Sequence, residues 1–99
     1  MQILLMDRQE GKTRQLVQWY MEDRPNRIML VSTLREAENI HRQYFSAENW
    51  HQFLNKAILL AATAQEKLHG RRVTIGIDEL ESVLYCLLGA PVEIATVTA

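Results

Sequence analysis

The chain of 99 residues lacks most of the features that would commit a protein to a special environment. With a single cysteine, Cys86, no disulfide can close within it, and a reducing, cytoplasmic location is expected. Cys86 lies in an apolar stretch and is expected to be buried. There is no excess of positive charge, because 11 Lys and Arg stand against 12 Asp and Glu for a formal net charge of −1. Duplex binding is driven by cations that neutralise phosphates, so a broad nucleic-acid-binding face is not indicated. No apolar run nears the roughly twenty residues of a membrane span, and no basic leader with a long apolar stretch opens the chain. Neither membrane contact nor a secretory signal is expected. His41, His51 and His69 lack metal-ligand spacing to a cysteine, which leaves no zinc pattern.

What remains is an ordinary globular composition, 47% hydrophobic and 23% charged, in a length that suits one domain over residues 1–99. The pattern alternates along the chain. Residues 2–6 are continuously apolar after Gln2, as in a strand buried on both faces. Leu16, Val17, Tyr20 and Met21 share one face of a helix over 12–23, which Asp23-Arg24-Pro25-Asn26 breaks. A second strand spans 27–32. A helix follows from a Ser32 or Thr33 cap, with Glu36 set for a capping box, to about Tyr44.

Ser46 reads as a further cap, and Ala47 to His69 carries a helical stripe stopped by Gly70. The third strand spans 72–77 and ends on Asp78-Glu79. A helix with Leu80, Val83, Leu84, Leu87 and Leu88 closes at Gly89, and Val92 to Thr98 alternates as a fourth strand. This βαβ order predicts an α/β protein with a parallel sheet and helices on both faces.

Two strand-to-helix junctions hold the chemistry. Arg8-Gln9-Glu10-Gly11-Lys12-Thr13 follows the first strand and opens the first helix. Backbone N–H groups at such a junction point at an anion, the helix dipole adds about half a positive charge, and a lysine supplies more. Lys12 is expected to reach terminal phosphates and Thr13 to hold Mg²⁺, while Gly11 lets the backbone come close. The full G-x-x-x-x-G-K-[ST] pattern is broken by Met6. A Gly-Lys-Thr triad alone also fits an ordinary helix start.

At the second junction, Asp78 at the strand tip can face a metal ion and Glu79 can orient and deprotonate water. The same pair also fits an acidic helix cap.

Together the two elements resemble the Walker A and Walker B motifs of P-loop NTPases of the additional-strand class. The Arg-Gln before x-Gly-Lys-Thr is similar to the deviant Walker A of phage terminase large subunits, in which the first glycine is commonly lost. Residues 28–33 and 95–99 look like the second strand and short coupling motif of terminases and related helicases.

The resemblance implies a minimal P-loop fold, a three-layer α/β/α arrangement with a four-stranded parallel sheet of order 1-4-3-2. It implies binding of ATP with Mg²⁺ by a phage-encoded domain, with Arg8, Gln9, Glu10, Gly11, Lys12, Thr13 and Arg14 around the phosphates. Thr13 and Asp78 would serve the metal, Lys12 and Glu79 catalysis, and Thr96 would sense the γ-phosphate. A terminase carries further elements, and no arginine finger is evident here, so slow hydrolysis is expected.

Two partner expectations follow. One is a homodimer that covers the apolar edge of the first strand. The other, under an alternative function, is a host or phage protein that meets an aromatic patch of Trp19, Tyr44, Phe45 and Trp50 on a non-enzymatic P-loop fold.

Overall fold

The computed structural model describes residues 2–3 and 11–98. Its elements are α1 (Lys12–Glu22), a 3₁₀ turn (Arg24–Asn26), β1 (Arg27–Val31), α2 (Leu34–Tyr44), α3 (Trp50–Lys56) and β2 (Ile58–Leu60). A second 3₁₀ turn (Ala61–Thr63), α4 (Ala64–Leu68), β3 (Thr74–Ile77) and α5 (Leu80–Leu88) complete the order. The protein is mixed α/β, and its strands form one parallel sheet of order β2-β1-β3.

β1 is central because it is apolar on both faces. Met29 and Val31 join the larger core with Val17, Tyr20, Ala37, Ile40, Phe45 and Phe53, from α1, α2, the end of α2 and α3. Ile28 and Leu30 point the other way, into a smaller core with Leu59, Ala61, Ala64 and Val83. Local signals set the ends of the elements. The Thr33 hydroxyl accepts from the Glu36 N–H, which caps α2, and the Glu36 carboxylate accepts from the hydroxyl of Ser32, the residue before the cap, in place of the Thr33 N–H of the expected capping box. Gly89, at φ 73°, closes α5.

Several sequence expectations need correction. The helix predicted over 47–69 is instead α3, β2, a 3₁₀ turn and α4. Ala57-Ile58-Leu59-Leu60 fits either period as a short apolar run, and the open edge of β1 decides it: Met29 N–H donates to the Ala57 carbonyl, and Met29 pairs with Ile58. The cap at this point is Asn49, whose side chain accepts from the Gln52 N–H, and not Ser46.

The four-stranded sheet of order 1-4-3-2 is not seen among the described residues. The segment 92–98 has no regular structure, with Ile94 84% exposed, because strand propensity yields no ladder without a paired neighbour. The first-strand expectation over 2–6, and the homodimer edge built on it, lie outside the described residues except for Gln2 and Ile3.

Cys86 is exposed rather than buried, because α5 turns only Val83 fully into the core. The predicted aromatic patch is also dispersed. Phe45 is buried, Trp19 and Trp50 lean on the larger core, and Tyr44 alone of the four is exposed. His41 contributes to this packing, with its ring edge-on to Trp50 and its Nε2 2.7 Å from the Glu48 carbonyl. Among the described residues no helix is long and apolar enough to cross a membrane.

Candidate functional site

α1 lies against β3 with no room to spare at Gly76. A Cβ there would sit 2.6 Å from both Leu16 Cδ1 and Trp19 Cζ3, so only glycine allows the helix this close. The two elements run in opposite directions, and one turn back along α1 from Leu16 comes Thr13, opposite the tip of β3. The sequence therefore folds so that the first turn of α1 and the end of β3 meet, although Thr13 and Asp78 are 65 residues apart.

Two polar contacts join them. The Thr13 hydroxyl donates to Asp78 Oδ2 at 3.1 Å, and Lys12 Nζ lies 3.0 Å from Glu79 Oε1. Gly11 caps α1 in the left-handed conformation, φ 77° and ψ 35°, and among the described residues no side chain hydrogen-bonds the helix end and no acidic residue stands in its first turn. The N–H groups of that turn and the positive end of the dipole favour an anion.

Asp78 is 8% exposed, and its own N–H extends the ladder by donating to the Leu30 carbonyl at 3.1 Å. Burial pushes its carboxyl above the ordinary carboxylate range. The Thr13 hydroxyl opposes that rise, the nearby Glu79 and Glu36 charges add to it, and Lys12 opposes it. Glu79 has φ 55° and ψ 69°, the one positive φ outside glycine among the described residues.

A cavity of about 260 Å³ opens beside these groups, walled by Thr13, Asp78 and Glu79 on one side and by Glu36, Asn39, Ile40 and Gln43 of α2 on the other. The volume fits the phosphate end of a ligand better than a whole nucleotide. A larger cavity of about 350 Å³ lies away from these groups, lined by Tyr20, Arg24, Pro25, Asn55, Lys56 and Arg71. Its most enclosed cation, Arg24, is already held by Glu48 at 2.8 and 3.1 Å and by the Tyr20 hydroxyl. The smaller cavity is the one with chemistry around it.

Of the residues the sequence singled out, Gly11, Lys12, Thr13, Asp78 and Glu79 are brought together. Arg14 is exposed on the same helix turn. Thr96 is exposed in the segment after α5 and makes no side-chain hydrogen bond to the other site residues among those described. Arg8, Gln9 and Glu10 lie outside the described residues. Sequence reasoning missed the wall formed by α2. Its signal was present in the polar positions 36, 39 and 43, which recur at helical spacing on the face that also carries Ile40.

The donor set suits a hard cation. Thr13 and Asp78 offer oxygen ligands, and Mg²⁺ is commonly held by one or two carboxylates together with substrate phosphates. Among the described residues no group of three or more His, Cys, Asp or Glu is arranged to hold a metal ion, so a metal here would share its ligands with the phosphate. No family model, curated protein or solved structure matches the chain.

Proposed function

We propose that the chain binds a nucleoside triphosphate, ATP in the first instance, with Mg²⁺ at the junction of α1 and β3, as a P-loop NTPase of the terminase-like kind. The observation that carries this reading is the double contact between two distant strand-to-helix junctions, Thr13 to Asp78 and Lys12 to Glu79. The packing of α1 on β3 brings the two junctions together, and the groups that then face each other are the hydroxyl, ammonium and carboxylates that a phosphate with Mg²⁺ needs.

In this reading the N–H groups of Gly11 to Arg14 cradle phosphate oxygens, and the Lys12 ammonium neutralises the terminal ones. Thr13 and Asp78 hold Mg²⁺, which supplies charge compensation on the phosphate oxygens when bound. Glu79 orients an attacking water and accepts its proton. Arg14 stands near the phosphates, and Arg8, Gln9 and Glu10, which belong to the same proposal, lie outside the described residues. Turnover is slow, since an arginine finger is worth about 10³ to 10⁵ in rate and none is evident. The finer sheet order, 1-4-3-2, belongs to the same proposal, with residues 92–98 adding beside β3 so that Thr96 faces the γ-phosphate. So do the phage origin and the cytoplasmic location.

The test is thermal. ATP with Mg²⁺ should raise the melting temperature, and Lys12→Ala should abolish the shift. Absence of any shift in the unaltered protein would remove the basis of the reading.

One observation favours a second reading, a P-loop-like interaction protein without turnover. Leu80, Tyr85, Leu87 and Leu88 of α5 and Ile75 and Ile77 of β3 are exposed, and exposed apolar surface can meet a protein partner. Assay of phosphate release, alone and with DNA, separates the two readings.

A further inference from the structure

We propose that the Lys12–Glu79 ion pair is a latch that keeps the site silent until a phosphate chain draws Lys12 away. The inference rests on the nucleotide-binding reading and concerns how that site is switched.

The contact is 3.0 Å and joins the two groups assigned the most demanding work, the phosphate-binding ammonium and the water-activating carboxylate. While they hold each other, neither is free for its task. Oε1 of Glu79 is occupied by the ammonium, and the ammonium is turned toward the β3 tip. Their surroundings favour exchange. Lys12 is the more enclosed partner, with 26% of its side chain exposed against 45% for Glu79, so a ligand arriving at the mouth of the site can displace Glu79 toward solvent.

The backbone argues in the same direction. Glu79 sits at φ 55°, a conformation that L residues with a Cβ seldom take. The opening of α5 at this point carries a Val83 N–H bond to the Glu79 carbonyl but no side-chain cap, so the Glu79 carboxylate is directed to Lys12 and not to its own helix end. A half-exposed pair of this kind is weak, and a triphosphate bearing several charges, backed by the N–H groups of α1, outcompetes a single carboxylate. One binding event would then place Lys12 on phosphate and release Glu79 toward water, so the base is armed only when substrate is present.

The experiment compares the unaltered protein with Glu79→Gln and Glu79→Asp, using calorimetric titration with a non-hydrolysable ATP analogue and Mg²⁺. Gln removes the charge. Asp keeps the charge but is one methylene too short for the same contact. The latch predicts that both variants bind about two- to fivefold more tightly, the range set by a weak ion pair. Tighter binding by Gln alone, with Asp unchanged, overturns the latch in favour of plain repulsion between Glu79 and phosphate. Equal or weaker binding by both variants also overturns it. Binding by none of the three proteins overturns the nucleotide reading itself, which is a distinguishable result.

Discussion

Residues 12–68 and residues 74–98 draw on similarly apolar sequence but bury it to different degrees. In the first region Val17, Tyr20, Ile28, Met29, Ile40, Phe53, Ile58 and Leu59 are enclosed between the sheet and its helices. In the second, Val83 is buried, whereas Ile75, Ile77, Leu80, Tyr85, Leu87, Leu88, Ile94 and Val97 are exposed. The candidate site straddles this divide, with Lys12 and Thr13 on the packed side and Asp78 and Glu79 on the open side. Among the described residues its geometry depends on the contacts that bind β3 to the rest: the ladder to β1, the seat of α1 over Gly76, and the Thr13–Asp78 and Lys12–Glu79 pairs. A site across such a seam can change shape without disturbing the main core.

The sharpest way to expose the difference is to damage the packed side. Phe53 is 1% exposed and sits among Phe45, Trp50 and His41. Phe53→Ala should cost about 3–5 kcal/mol, read as a lower denaturant midpoint, a loss large enough to unfold a marginal domain. A cost under about 1 kcal/mol would mean that the larger core is not where stability resides.

The seam itself is tested at Gly76. A methyl group placed 2.6 Å from Leu16 and Trp19 forces α1 off β3, and Gly76→Ala should destabilise by about 1–3 kcal/mol, the usual range for overpacking. The displacement should also part Thr13 from Asp78. Ligand binding, measured by melting shift, should thus fall by more than Phe53→Val lowers it at matched stability. Equal effects would show that the site is not held through this contact.

How much of this could be read from the sequence depends on whether the signal was local. The ends of α1, α2 and α5 were legible, because Thr33 with Glu36, Pro25 and Gly89 act on their own neighbours. So were β1 and β3. β2 was not legible: Ile58 to Leu60 satisfies a helical stripe, and only the open edge of β1, about thirty residues away in sequence, makes it a strand. The alternation of 92–98 promised a strand, but alternation cannot supply a partner. Cys86 was misjudged for a related reason: periodicity identifies an apolar face and leaves open whether anything covers it. The role of Gly76 as the seat of α1 needed the packing.

A smaller effect follows from the charge at the seam. Folding holds the Asp78 carboxyl above its ordinary value, chiefly through burial, so the fold tolerates the ionised form poorly. The sign follows: the stability linked to Asp78 is fully present below the unfolded carboxyl value and is lost as pH rises through the raised folded one. Asp78→Asn keeps an acceptor for Thr13 without the charge. It should therefore stabilise the protein at pH 7, on the order of 1 kcal/mol as expected for relief of a strained functional site. The gain should shrink as pH falls through the raised folded value and vanish below about 4, where the carboxyl is protonated in both states. Melting curves of both proteins from pH 3 to 8 check this, and a gain that grows on acidification would contradict the assignment. The same variant should lose Mg²⁺-dependent nucleotide binding, which sets stability against function at one residue.

The least costly substitutions should lie on α5. Leu88 is 64% exposed, and Leu88→Gln removes little that is buried, so stability should stay within about 0.5 kcal/mol of the unaltered protein. Cys86, on the same helix, should react with a thiol reagent in the native protein at a rate close to that of the unfolded chain. These two measurements divide the comparison. If Leu88→Gln costs 2 kcal/mol or more and Cys86 is protected, α5 is covered in solution, by residues 92–98 or by another molecule, and the seam is a closed interface. If both results are as expected, residues 74–98 are held mainly by β3 and Val83. The carboxylate half of the site is then carried by the less anchored side of the molecule.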